Sequence, residues 1–130
     1  MLLVVAAPSL KILGVMSDLF FSVKILDEAR RLGMSAEFVK DQALALEKIK
    51  NQPPLVIFDL NCSGAGAVEI LRAMKADPLT RAVPTLGFVA HVQVELKQEA
   101  LAAGCDVVVA RSAFAQSLPE LLRRQLTQAV

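Results

Sequence analysis

The chain has 130 residues, of which 55% are apolar and only 5% aromatic, and a formal net charge of +1. That length suits one domain with a core of its own, and the near-neutral balance excludes a nucleic-acid surface, which needs clustered Lys and Arg to neutralise phosphates. Two cysteines, Cys62 and Cys105, are too few for a disulfide framework or zinc site and are expected as free thiols in a reducing cytosol. No apolar run of about 18 residues offers a transmembrane helix.

Residues 1–9, MLLVVAAPS, are expected as an apolar extension set apart by Pro8 from a domain spanning 10–130. The run lacks the basic region of a secretion signal and is short for its apolar core. It is too apolar for a free tail, so it is expected either to add to a sheet edge or pack on a neighbouring molecule, or to be a start of no structural consequence.

The first strand is expected at 10–16, LKILGVM, and Ser17 then reads as the N-cap of a helix, with Asp18 favourable at the positive end of its dipole. Leu19, Val23, Leu26 and Ala29 or Arg30 follow at helical spacing up to Gly33, a natural residue just past a helix end. A second strand covers 34–39 and a second helix 42–50, with Leu44, Leu46 and Ile49 as its apolar contacts.

The centre of the chain is the stretch 54–66, PLVIFDLNCSGAG. Leu55, Val56, Ile57 and Phe58 show no polar alternation, which predicts a strand buried on both faces. Asp59 stands at its carboxyl end, and in open α/β sheets that edge is where sites are built, because helices cover the faces. A third helix over 65–76 stops before Asp77-Pro78. Then come a fourth strand at 83–90, a fourth helix from His91 to Ala103 ended by Gly104, and a fifth strand at 106–110. The last helix is predicted from Ser117, where Ser117 and Glu120 make a capping box and Pro119 sits early in the first turn. Strands alternating with helices through short connections predict a doubly wound, five-stranded parallel sheet with helices on both faces.

With Asp59 in this setting, the segments IFDLN, VPTLGFVA and AGCDVVVARSAF give the chain a resemblance to the receiver domain of two-component response regulators over residues 10–128. The resemblance implies a flavodoxin-like fold with strand order 2-1-3-4-5. It places Asp59 at the phospho-acceptor position and Asn61 where a backbone carbonyl helps hold the metal. At the other corners the sequence departs from the family. The acidic pair after the first strand is replaced by Met16 and Ser17, with Asp18 one place late; the hydroxyl residue after the fourth strand is Val89; the Lys after the fifth is Arg111, followed by Ser112 in place of Pro; and Val108 stands at the aromatic switch position.

These departures carry chemistry. Mg²⁺ prefers oxygen ligands and usually relies on carboxylates; Met16 has none, which leaves Asp18, Asp59 and Asn61 as weak metal candidates, with Asp18 expected as a cap or dipole partner. Val89 has no hydroxyl to donate to a phosphoryl oxygen. Arg111 keeps the charge but not the shape of a lysine, and it is expected to form a salt bridge to Asp59.

The function expected is therefore that of a degenerate receiver, a stand-alone signalling module of a two-component type pathway. It would be cytoplasmic, without enzymatic activity or cofactor, and would act by protein binding without Mg²⁺-dependent phosphorylation. No nucleic acid or membrane is expected as a partner. A protein partner or a second copy would use the face of the fourth helix, fifth strand and fifth helix, where Val92 and Val94 are apolar. One alternative is a working, divergent receiver that takes Mg²⁺ and is phosphorylated on Asp59 by a histidine kinase or phosphotransfer protein. A more distant one is a small-ligand pocket at the same strand ends. His91, the single histidine, is expected to cap or face solvent. Gly64-Ala65-Gly66 lacks a full phosphate-cradle pattern, and Cys62 is expected to be inert.

Overall fold

The computed structural model describes residues 10–62, 65–90 and 93–128. The extension at 1–9 and the residues His91, Val92 and Gly64 lie outside them. Five strands, β1 (Lys11–Val15), β2 (Ser35–Val39), β3 (Val56–Asp59), β4 (Thr85–Val89) and β5 (Val107–Ala110), alternate with five helices, α1 (Leu19–Arg31), α2 (Gln42–Ile49), α3 (Ala67–Ala76), α4 (Val94–Ala102) and α5 (Arg111–Gln128). All strand pairs are parallel, in the order β2-β1-β3-β4-β5. This is the expected doubly wound sheet. The register sets Val15 beside Phe58, Asp59 beside Phe88 and Val89 beside Ala110, so the carboxyl ends step outward by one residue from β1 to β3 and by one more to β4 and β5.

Alternation along the strands divides the core in two. Leu13, Val15, Val56 and Phe58 face one layer, packed by Ala45 and Ile49 of α2, Ile70, Leu71 and Met74 of α3, and Ala100 of α4. Ile12, Met16, Ile57, Leu86 and Phe88 face the other, packed by Phe21, Ile25 and Ala29 of α1 and Phe114, Leu118 and Leu122 of α5. Gly14 is required by a close approach: a Cβ there would lie 2.4 Å from the ring of Phe38, which covers it from β2. Gly66 precedes α3 with φ of 64°, a left-handed conformation that side chains disfavour.

Four local expectations are corrected. The buried stripe of α1 is Phe21, Ile25 and Ala29, whereas Leu19 and Val23 are 77% and 51% exposed. Two apolar faces compete on this helix, and the one whose Phe21 meets Phe88 and Phe114 is buried, while Phe20 stays exposed. On α2 Leu44 is exposed and Ala45 takes its place inside. The N-cap of α1 is Asp18, whose carboxylate accepts from the Phe21 N–H at 3.1 Å, and Ser17 stands outside the helix. Finally, α5 begins directly after β5 at Arg111 and kinks at Ser117 (φ −115°, ψ 20°). The break fits Pro119, which has no N–H to give to the preceding turn; Ser117 starts the second half of a longer helix, and the Ser117–Glu120 capping box does not form.

Cys62 and Cys105 are both free and lie at opposite ends of the sheet. Burial pushes the Cys105 thiol up to about 11. No helix among the described residues is long and apolar enough to cross a membrane.

Candidate functional site

Asp59 is the last residue of β3, and the pleat that turns Phe58 toward α3 turns Asp59 toward α1 and α5. It is 6% exposed. One oxygen accepts from the backbone N–H of Asn61 at 3.0 Å, closing a turn at the strand end. The other faces the guanidinium of Arg111, 3.8 Å away.

Arg111 reaches this point because α5 starts immediately at the end of β5, which aims its first side chain back across the strand ends. Its guanidinium is shared. The nearer contact is an ion pair and hydrogen bond to Asp18 at the cap of α1, with Asp59 the more distant partner. The expected salt bridge to Asp59 is thus one arm of a bridge that spans both carboxylates. The planar group lies 4.7 Å from the ring centre of Phe21 and 5.5 Å from that of Phe88, within the range where a cation is drawn to an aromatic face. Phe114 stacks on Phe88 at 4.4 Å and meets Phe21 edge-on at 5.4 Å, completing a platform of three rings.

The carboxyl of Asp59 is held above its ordinary value of 3.8. Burial is the main cause and disfavours the charged form; the Asn61 N–H and then Arg111 oppose it, while the charge of Asp18 adds to it. Arg111 therefore does not hold Asp59 ionised as strongly as a dedicated salt bridge would, since its shorter contact is to Asp18.

Met16 is buried in the α1–α5 core layer and presents no oxygen. Ser17 is exposed, its hydroxyl 3.9 Å from the thiol of Cys62. Val89 is buried against the opposite layer. The side chain of Asn61 turns to the segment after β4: its oxygen accepts from the Ala90 N–H at 2.9 Å and its NH₂ donates to Gln93. Val108 is buried in β5, and His91 lies outside the described residues. Among the described residues no group of three or more His, Cys, Asp or Glu side chains is placed to hold a metal ion. A cavity of about 370 Å³ opens beside Arg111, lined by Phe21, Ala90, Ser112 and Ala115.

Three residues of this arrangement are not marked out by the sequence. Phe21 and Phe88 form the seat of Arg111, and Gln93 is the far partner of Asn61. The signal for Phe88 was its position beside Asp59 in a parallel register; for Phe21 and Gln93 nothing local distinguishes them.

The sheet order and the helices on both faces recur in known structures. A CheY-like response regulator receiver domain protein from Methanospirillum hungatei is 20% identical, with 92% of this chain and 94% of that chain covered and a TM-score of 0.77. The fold is that of the receiver domain. Chemotaxis response regulator CheY4 of Vibrio cholerae is 22% identical over 88% of this chain and 97% of its own, with a TM-score of 0.76. A receiver domain of a sensor histidine kinase from Pseudomonas aeruginosa is 20% identical over 92% of this chain and 98% of its own, with a TM-score of 0.77; its structure has a magnesium ion coordinated in the active-site cleft. No protein-family model and no curated protein matches the chain by sequence. On this receiver fold the strand-end edge is built from Asp59, Asp18 and Arg111.

Proposed function

We propose that this receiver-fold domain is a pseudo-receiver, a signalling module that works through protein contacts and does not rely on Mg²⁺-dependent phosphorylation of Asp59. The observation that carries this reading is that one guanidinium, Arg111, answers both carboxylates at the strand-end edge. A fixed, covalently tethered cation stands close to where the resemblance would put a metal.

The donor set supports the same reading. Mg²⁺ needs oxygen ligands close to an octahedron, and here Met16 supplies none, while Asp18 already caps α1 and binds Arg111. These residues do not fit that ion. Val89 has no hydroxyl with which to read a phosphoryl group, so a modified Asp59 would lack the usual means of pulling the loop after β4.

Binding is assigned to the α4–β5–α5 face, where Val94 and Leu101 are exposed large apolar residues. The partner is another protein or a second copy of the chain. Titration with Mg²⁺ at millimolar concentration, followed by backbone NMR, tests the metal half of this reading. Small, non-saturating shifts at Asp18, Asp59 and Arg111 are expected; a saturable shift confined to those residues would contradict it.

A further inference from the structure

The receiver fold leaves α4 weakly attached. Only Ala100 of its nine residues is fully buried, and Leu96 packs in part against the core. A helix with so little apolar face in the core takes its position from whatever holds its ends. At its amino end the N-cap residue, Gln93, makes no capping bond with its side chain. That side chain instead accepts from Asn61.

Asn61 engages its backbone N–H and both ends of its side-chain amide. Its backbone N–H donates to Asp59, its side-chain oxygen accepts from the N–H of Ala90 just past β4, and its NH₂ donates to Gln93 at the start of α4. The two residues it joins to Asp59 thus flank the segment linking β4 to α4. The buried methyls of Val89 make no polar link to Asp59; among the described residues, side-chain hydrogen bonds lead from Asp59 to α4 through Asn61, by its backbone N–H and then its amide.

We propose that Asn61 is the positioning residue for α4, holding the end of β4 and the start of α4 in one arrangement set from Asp59 without any modification. An asparagine amide suits the task because it offers an acceptor and a donor on one short, rigid arm. The proposal deepens the function given above, since α4 forms part of the assigned binding face. Its test needs neither phosphate nor partner, so its failure would leave the reading of Asp59 standing.

Amide hydrogen exchange on the intact chain gives the test. The readout is the amides of Lys97 to Ala102, the first of which donates to the Gln93 carbonyl at 3.2 Å. A solvent-accessible hydrogen bond contributes modestly, so Asn61→Ala should raise exchange there roughly threefold to tenfold and leave α1 and β1 unchanged. Gln93→Ala removes one of the two links and should give a smaller rise. Gln93→Glu keeps an acceptor for the Asn61 NH₂ and should stay at the parent rate. Unchanged exchange in Asn61→Ala would overturn the proposal, as would acceleration spread evenly over the whole chain or Gln93→Glu exchanging as fast as Gln93→Ala.

Discussion

Replacing Arg111 by leucine should lower stability by about 2 kcal/mol, the largest loss expected of any single change at the strand-end edge. Breaking a buried ion pair by removing one partner commonly costs about 3–5 kcal/mol. Here the Arg111 side chain is 38% exposed, so solvent screening reduces that figure. Two separate things are lost. Asp18 and Asp59 are left facing the same space with no countercharge, and the platform of Phe21 and Phe88 loses the cation above it. With an unfolding entropy of roughly 2 cal/mol/K per residue, 2 kcal/mol is about 7 °C in melting temperature for a chain of this size. Arg111→Lys should lose less, because charge is kept, but a single ammonium does not span two carboxylates as a planar fork does. Thermal or urea unfolding of both variants provides the check, and a leucine variant as stable as the parent would remove Arg111 from its central place.

Asp59→Asn should act in the opposite direction and raise stability at neutral pH by about 1 kcal/mol, at the lower end of what relief of an under-compensated buried charge contributes. The change keeps the oxygen that accepts from Asn61 and leaves Arg111 its nearer partner, Asp18. The sign follows from the raised proton affinity of Asp59. A carboxyl that binds its proton more tightly when folded makes the folded state less stable at every pH where it is ionised. That penalty is fully present above the folded value and fades as pH falls through it toward the ordinary 3.8. The stability advantage of Asp59→Asn should therefore be greatest at neutral pH and shrink on acidification. An advantage that grows as pH falls would show that Arg111, and not burial, governs the group. In Arg111→Leu the same Asp59→Asn change should stabilise more than in the parent, since the uncompensated charge is then larger.

The parts of this molecule legible from sequence are those encoded locally. The uninterrupted run from Leu55 to Phe58 followed by Asp59 marks a central buried strand and its functional end, and turn residues such as Gly33 and Asp77-Pro78 separate the elements. The stripe of α1 was not legible, because Leu19, Phe20, Phe21 and Val23 supply two apolar faces. The choice between them is made by Phe88 and Phe114, which pair with Phe21 from far along the chain. Pro119 points to a helix start near Ser117; the earlier start at Arg111 depends on β5 delivering the chain to the sheet edge, and that start lets Arg111 lie over Phe21 and Phe88. The bond from Asn61 to Gln93 spans 32 positions, and no spacing rule anticipates it.

Incubation of the purified protein with Mg²⁺ and a small phosphodonor, followed by intact-mass and peptide mass spectrometry, tests directly whether Asp59 takes a phosphoryl group. Without a metal cradle a doubly charged phosphoryl group meets the negative charge of Asp59 at close range, and Arg111 is tied to Asp18 as well. No stable phosphate on Asp59 is expected, with either the small donor or a histidine kinase from the same cell. An alkali-labile phosphate on Asp59 that requires Mg²⁺ and is lost in Asp59→Asn would contradict this and establish a working receiver.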